Sequence, residues 1–191
     1  MNFRFKDLTE TRLTSSRVFK GKLLDVWSDT VRLPNGETSV REYVRHPGAV
    51  VMIPVLDDDR IVLIEQFRYA TGDVEIELPA GTLDPGESPP EAVERELLEE
   101  TGYAARTLTP VVEVRPCMGY STERMWIYLA TDLTETGGES PSDEFIRILP
   151  RDLATCLSWV QRGKIKDVKA IIGLLWAEKI LSGQWSPPTR E

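Results

Sequence analysis

The 191-residue chain has one histidine, two cysteines and no long apolar segment. His46 alone cannot build a multi-histidine zinc site, and Cys117 and Cys156 are too far apart in sequence to form a metal-spaced pair. No stretch approaches the roughly 18 apolar residues that a membrane helix needs, and the first residues lack the apolar core of a secretory signal. These absences predict a cytoplasmic protein with reduced, structural thiols and no membrane partner.

Basic charge is also scarce. The sequence has 23 Lys plus Arg against 31 Asp plus Glu, which gives a formal charge of −8. Nucleic-acid binding is disfavoured, because it needs a clustered cationic surface to meet the phosphate backbone. The acidic excess is concentrated between Gly81 and Tyr103, where seven acidic residues accompany a single basic one, Arg95. This acidic segment is the first candidate for a functional site.

Strand and helix patterns alternate irregularly along the chain. Strands are expected near residues 17–27, 40–44, 48–56, 60–66, 74–78, 107–114, 124–130 and 145–149. Helices are expected near residues 89–101, 151–162 and 167–181. Because no regular βαβ rhythm connects them, the pattern favours an α+β fold with a mixed sheet. Residues 1–46 are predicted to form a small N-terminal β module, and residues 47–191 the main domain.

Two further local predictions concern the second half of the chain. Residues 131–143 are rich in Thr, Gly, Ser and Glu, so we expect an exposed loop there. In the last helix, a spacing of i, i+3, i+4 and i+7 predicts an apolar side formed by Val168, Ile171, Ile172 and Leu175.

The acidic segment contains a helix with clear start and stop signals. Ser88 is a predicted N-cap, Pro89 takes the first helical position, and Glu91 completes a capping box. Gly102 is expected to end the helix. The side predicted to be buried consists of Ala92, Val93, Leu97 and Leu98.

Three glutamates of this helix share one patch of its surface, since Glu96, Glu99 and Glu100 are spaced i, i+3 and i+4. Like charges at this spacing oppose one another by a few tenths of a kcal/mol per pair. A divalent cation such as Mg²⁺ relieves that repulsion, because it prefers oxygen ligands and is commonly held by carboxylates together with substrate phosphates. The alternative interpretation is a solvated acidic face.

The spacing of the segment resembles the complete Nudix box: Gly81, five residues, Glu87, seven residues, then Arg95-Glu96-Leu97-Leu98-Glu99-Glu100-Thr101-Gly102-Tyr103. The resemblance to the Nudix hydrolase superfamily implies an α/β/α sandwich with a mixed sheet. It also implies a site for Mg²⁺, with Mn²⁺ as an alternative ion. Its implied ligands are the carbonyl of Ala80 and the carboxylates of Glu87, Glu96, Glu99 and Glu100. Arg95 is implied to orient these carboxylates by ion pairing.

Motifs outside the box, over about residues 15–182, resemble the ADP-ribose pyrophosphatase branch of this superfamily. They include the segments 44–50, 65–69, 77–81 and 163–167. The branch implies a homodimer in which the N-terminal module reaches across a two-fold axis. Trp27 is then the candidate for stacking on adenine, and Arg68, followed by Arg45, for binding the diphosphate. A planar guanidinium suits that task because it can bond phosphate oxygens in pairs.

The implied reaction is hydrolysis of the pyrophosphate bond in a nucleoside diphosphate linked to a sugar. The first candidate substrate is ADP-ribose, giving AMP and ribose 5-phosphate. Met118 stands where the branch usually has a proline, and Tyr120 lies where dinucleoside-polyphosphate hydrolases tend to have a tyrosine. UDP- or ADP-hexoses and dinucleoside polyphosphates therefore remain alternative substrates.

Hydrolysis also requires a general base within reach of the attacking water. In the resembling enzymes this base often comes from an acidic loop beyond the core sheet, which here implies Glu144 first and Glu139 second. An alternative from another functional class is a non-catalytic nucleotide-binding sensor. Such proteins commonly lose carboxylates of the box, whereas this chain retains all of them.

Overall fold

A computed structural model describes residues 7–137 and 145–187, which divide into two compact units. The first unit contains residues 7–47 together with Cys117–Glu123, and the second contains Gly48–Pro116 and the described part of Arg124–Glu191. The segment 117–123 thus belongs with the N-terminal residues, although it is remote from them in sequence. None of the helices in the described ranges is long and apolar enough to cross a membrane.

Ten strands and three helices form the described chain. The strands are β1 Thr11–Lys20, β2 Asp25–Arg32, β3 Thr38–Val44, β4 Ala49–Pro54, β5 Arg60–Arg68, β6 Asp73–Glu77, β7 Ala80–Thr82, β8 Tyr103–Val114, β9 Met125–Glu135 and β10 Ile146–Asp152. The helices are α1 Pro89–Thr101, α2 Leu153–Gln161 and α3 Val168–Leu181.

The first unit contains an antiparallel sheet in the order β1-β2-β3. The predicted strand at 17–27 is wrong, because a turn closed by a hydrogen bond from the Gly21 N–H to the Leu24 carbonyl separates β1 from β2. The turn at Pro34-Asn35-Gly36 connects β2 and β3, and the Gly36 N–H donates to the Leu33 carbonyl at 2.9 Å. Gly36 has a φ of 89°, a left-handed conformation that glycine adopts without steric cost.

The second unit is built around β4, whose six residues are all buried. This strand pairs in parallel with β9 and antiparallel with β7, within a sheet of order β7-β4-β9-β8. Alternate residues enter two cores: Val50 and Met52 join the cluster containing α1, while Val51 and Ile53 join the one containing α2 and α3. A second sheet has the order β10-β5-β6. The predicted α+β class with a mixed sheet and helices on both faces is confirmed.

The predicted apolar side of α3 is wrong in part: Ile171 and Ile172 pack against the core as predicted, but the other two residues are exposed. Val168 and Leu175 are each 48% exposed, whereas Ala170, Leu174 and Ala177 are fully buried. Small residues allow this helix to approach the sheet closely: a Cβ added at Gly173 would lie 2.5 Å from a methyl carbon of Leu78. The predicted spacing ran through the larger residues from Val168, whereas the buried side also includes Ala170, Gly173 and Ala177, whose small size permits the close approach.

Two boundary predictions also need correction. Residues 131–135 of the predicted loop continue β9, where they pair with the first residues of β8. In α1, Ala92, Val93 and Leu97 are buried as predicted, but Leu98 is 36% exposed.

Candidate active site

Helix α1 presents its acidic residues at different depths. Its start is fixed because the Glu91 carboxylate accepts a 2.9 Å hydrogen bond from the Ser88 N–H, and its end is fixed by Gly102 in the left-handed conformation. With Leu97 held in the core, Glu100 is only 5% exposed and accepts a 2.8 Å hydrogen bond from the Ala80 N–H. The helix therefore brings one carboxylate directly against the peptide of Ala80.

The loop before α1 passes unusually close to Glu96. A Cβ added at Gly81 would lie 1.8 Å from the carboxyl carbon of Glu96, so any side chain at position 81 would displace that carboxylate. Glycine at position 81 therefore allows the Glu96 carboxylate to keep its observed position. Glu96 and Glu100, one turn apart on α1, are thereby both held against the segment Ala80–Thr82.

Arg95 is bonded to three of the candidate ligands. Its guanidinium donates to Glu87 at 2.9 and 2.8 Å, to Glu96 at 2.7 Å and to Glu99 at 3.3 Å. A further 3.2 Å bond to the Thr82 carbonyl attaches the same guanidinium to the loop. One positive charge is thus shared among three carboxylates, which leaves this cluster with a negative excess.

These contacts change the protonation behaviour of the cluster. Hydrogen bonds from Arg95 lower the pKa of Glu87 to about 2, and a bond from the Asp84 N–H adds to the effect. The hydrogen bond to Glu87, reinforced by Glu96, raises the pKa of Arg95 in spite of its partial burial. Both partners are therefore charged at neutral pH.

The carboxylates of this cluster could serve as ligands of a hard divalent cation, because such ions prefer oxygen ligands. Among the described residues, no three His, Cys, Asp or Glu side chains converge as the ligands of one ion. The Arg95 guanidinium instead lies among the carboxylates of Glu87, Glu96 and Glu99. Cation binding would require these flexible carboxylates to turn from Arg95, while Glu100 already lies beside Ala80.

A second ionic cluster joins β5, β6 and α3. Arg68 donates to both oxygens of Glu77, from Nε at 2.6 Å and from Nη2 at 2.9 Å. The ammonium group of Lys169 also donates to Glu77, and it lies 3.0 Å from a carboxylate oxygen of Asp167. One buried carboxylate is therefore shared by two cations.

The ionisation of this second cluster follows from burial and charge together. Burial opposes the charged form of Glu77, but the Arg68 and Lys169 contacts outweigh it and lower the Glu77 pKa. Burial raises the pKa of Asp167, an effect that Lys169 partly offsets. The bond to Glu77 raises the pKa of Arg68, and the charge of Glu100 contributes in the same direction. The negative charge of Glu100 on α1 therefore acts on Arg68.

The other two predicted substrate-binding residues lie together in the first unit. The guanidinium carbon of Arg45 lies 3.3 Å from the centroid of the Trp27 ring, and that of Arg17 lies 5.0 Å away. The Trp27 indole N–H donates to Asp25 at 2.9 Å. Trp27, the candidate for stacking on adenine, therefore already has two guanidinium groups near its ring.

Comparison with known proteins identifies the family. A model described as the NUDIX domain matches residues 45–170. The chain is a Nudix hydrolase. It is 35% identical to the ADP-ribose pyrophosphatase of Bacillus subtilis (strain 168), over 91% of this chain and 95% of that protein. It is 33% identical to the methanol dehydrogenase activator of Bacillus methanolicus, over 88% and 92% of the two chains. A crystal structure of an ADP compounds hydrolase superposes with a TM-score of 0.84 and 29% identity, covering 94% of this hydrolase and 98% of that chain.

Several predicted residues of the hydrolase remain to be placed. The candidate bases Glu139 and Glu144 lie outside the described residues. Met118 and Tyr120 belong to the first unit and are 78% and 61% exposed. The Tyr120 hydroxyl donates to the sulfur of Cys117 at 3.2 Å, a local contact that favours neither substrate class.

Sequence reasoning missed Glu77 and Lys169 as parts of a candidate site. Glu77 stood in a motif that was used only for resemblance, and Lys169 was hidden by the wrong assignment of the apolar side of α3. The available signal was a charged residue beside Ala170 on a helix dominated by apolar residues, since buried charges are normally paired.

Proposed function

We propose that this hydrolase cleaves the pyrophosphate bond of an ADP-linked sugar, with ADP-ribose as the first candidate and AMP and ribose 5-phosphate as products. The observation that carries the proposal is the cluster of three carboxylates around the single guanidinium of Arg95. Its negative excess suits a divalent ion, and a divalent ion suits a diphosphate. Similarity to an ADP-ribose pyrophosphatase and to an ADP compounds hydrolase supports adenosine as the nucleoside.

Mg²⁺ is the proposed ion, with Mn²⁺ as the alternative. Glu96, Glu99, Glu100 and the Ala80 carbonyl are the proposed ligands, and Glu87 is a further contributor. A bound divalent ion would neutralise phosphate charge and activate the attacking water. The chain contributes the orientation: Gly81 admits the Glu96 carboxylate to the loop, and Arg95 holds Glu87 and Glu96 in place.

Arg68 is the proposed partner of the diphosphate. Its fork is fixed on one edge by Glu77, and its permanent charge can bind the phosphate oxygens of the diphosphate. Trp27 and Arg45 of the first unit are proposed to contact the nucleotide, with Arg45 as the second diphosphate candidate. Homodimerisation, the role of the N-terminal module and a cytoplasmic location stay predictions.

Glu144 is the proposed general base, and Glu139 is its alternative. A base acts by accepting a proton from the attacking water, and therefore affects the chemical step more than substrate binding. We expect Glu144→Gln to lower kcat much more than it changes KM. An unchanged kcat would contradict Glu144 as the general base and favour Glu139 in that role.

Substrate choice can be tested by measuring nucleoside monophosphate release in Mg²⁺ buffer. The panel contains ADP-ribose, ADP-glucose, UDP-glucose, GDP-mannose and a diadenosine polyphosphate. We expect the highest kcat/KM for ADP-ribose. A higher value for UDP-glucose or ADP-glucose would instead support the nucleotide-sugar alternative, and one for the diadenosine compound would support the dinucleoside alternative.

The relative from Bacillus methanolicus favours a second candidate function, because that protein is named as an activator of methanol dehydrogenase. In this alternative, the non-catalytic one, the chain binds a nucleotide without hydrolysing it and acts on a partner protein. Tight binding of ADP-ribose with no AMP release in Mg²⁺ or Mn²⁺ would support it. Catalysed AMP release would contradict it.

A further inference from the structure

Lys169 is a charged residue whose side chain is buried, and burial of a charge carries a desolvation cost. It is 8% exposed, and its partner Glu77 is 3% exposed. Buried ion pairs are commonly no more stabilising than apolar residues of similar volume, although breaking one is costly. Stability alone therefore gives little reason for a lysine at this point of α3, and its contacts suggest a role in arranging another group.

Lys169 is linked to Arg68 through Glu77. Both cations donate to the same oxygen of Glu77, Arg68 from Nη2 at 2.9 Å and Lys169 from its ammonium group. Arg68 also donates from Nε to the other oxygen, which fixes the plane of its guanidinium. Its remaining nitrogen, Nη1, makes no hydrogen bond within residues 7–137 and 145–187.

The space beside Arg68 can admit an anion. Arg68 lines an open cavity of 450 Å³ with Thr71, two lysines and three carboxylates, and two of these carboxylates, Glu77 and Asp167, are bonded to cations within the cluster. Its backbone position is set by the turn after β5, in which the Arg68 carbonyl accepts hydrogen bonds from the N–H groups of Thr71 and Gly72. The backbone of Arg68 is therefore held by the turn, and Nε and Nη2 of its guanidinium are bonded to Glu77. Its Nη1 can still donate to a ligand.

We propose that Lys169 is a positioning residue for Arg68: by sharing Glu77, it lets that carboxylate orient the guanidinium without neutralising it, so that Arg68 keeps its charge for a phosphate oxygen of the diphosphate. Without Lys169, Arg68 is the one cationic partner of Glu77 among the described residues, and Glu77 holds it more strongly. Asp167 completes the arrangement by holding the ammonium group of Lys169 from its other side. This inference rests on the proposed function, in which Arg68 binds the diphosphate.

The test is steady-state hydrolysis of ADP-ribose by Lys169→Met, with Lys166→Met as the matched control. Lys166 lines the same cavity but is exposed, so its substitution removes the same charge without touching Glu77. We expect Lys169→Met to raise KM about tenfold while kcat changes less than about threefold, because a charge-assisted contact to substrate is weakened. Equal effects of the two substitutions would overturn the proposal.

A double mutant separates positioning from general support of the fold. If Lys169 acts through Arg68, then Arg68→Met combined with Lys169→Met should have the same KM as Arg68→Met alone. Multiplied losses would show an independent structural effect and overturn the proposal. Thermal unfolding checks each variant, and Lys169→Gln replaces Lys169→Met if the latter does not fold.

The outcomes distinguish this inference from the proposed function. Wild-type protein that releases no AMP from ADP-ribose in Mg²⁺ would contradict the proposed function. Active wild-type protein with an unchanged KM in folded Lys169→Met would overturn the positioning role alone.

Discussion

Two ionic clusters of the second unit are opposite in composition. Around Arg95, one guanidinium is shared by Glu87, Glu96 and Glu99, whereas around Glu77 one carboxylate is shared by Arg68 and Lys169. The first cluster has an excess of negative charge and oxygen donors, which suits a cation. The second leaves guanidinium donors beside a cavity, which suits an anion. A divalent ion and a diphosphate are the pair of ligands that this contrast predicts.

The largest expected effect comes from removing charge at the acidic cluster. Glu99→Gln should lower kcat at least about a hundredfold, since a metal contributes several kcal/mol and each 1.4 kcal/mol corresponds to a factor of ten. Glu94→Gln is the matched control because Glu94 is exposed on the same helix. AMP release from ADP-ribose measures both. Similar activity in the two folded variants would remove Glu99 from the proposed ligands.

The next largest effect is expected from a substitution in the cationic cluster around Glu77. Arg68→Lys keeps the charge but removes the planar fork, so we expect about a tenfold loss in kcat/KM. Arg60→Lys is its control, because Arg60 lies at the other end of β5 and pairs with the exposed Asp58. Steady-state kinetics with ADP-ribose would contradict the assignment if both variants kept wild-type kcat/KM.

A smaller effect is expected where the loop meets the acidic helix. Gly81→Ala places a Cβ at the Glu96 carboxyl group, which must rotate away because its flexible side chain yields before the backbone does. We expect a severalfold loss of kcat with a small change in melting temperature. Gly119→Ala is the control, since an added Cβ there meets no atom within 4 Å. A Gly81→Ala variant with full activity would show that the position of Glu96 does not limit turnover.

The acidic cluster was largely predictable from the sequence, and the cationic one was not. Glu96, Glu99 and Glu100 lie on one helix at fixed spacing, and Ser88 and Gly102 mark its ends, so local rules define their arrangement. Glu77 and Lys169 meet across 92 residues through the packing of α3 on the sheet. That packing depends on Gly173 and its small neighbours, which a search for large apolar residues passes over.

The structure of the first unit was also only partly predictable from local sequence patterns. The turn at Gly21–Leu24 divides two strands that the sequence suggests are one, because apolar residues lie on both sides of it, Val18 and Phe19 before and Val26 and Trp27 after. The contact of Arg45 with Trp27 depends on pairing between β2 and β3, which places Trp27 opposite Tyr43. Such pairings follow from strand register, and local propensity does not specify them.

The smallest expected effect is a pH-dependent change in stability at Glu87. Its pKa is lowered from 4.5 to about 2 in the folded state, so its charge stabilises the fold at neutral pH. This contribution is fully present above the unfolded pKa and is lost as the pH falls from about 4.5 towards 2. The melting-temperature difference between wild type and Glu87→Gln, in metal-free buffer, should therefore be largest at pH 7 and shrink below pH 4.5. A difference that is constant with pH would contradict the charge contact with Arg95.

The most direct test of the account is removal of divalent ions from the wild-type protein. AMP release from ADP-ribose is measured in excess chelator and again after Mg²⁺ is added beyond the chelator. We expect turnover to be lost in chelator and restored by Mg²⁺, because the carboxylates around Arg95 are proposed to act through a cation. Undiminished AMP release in excess chelator would contradict it.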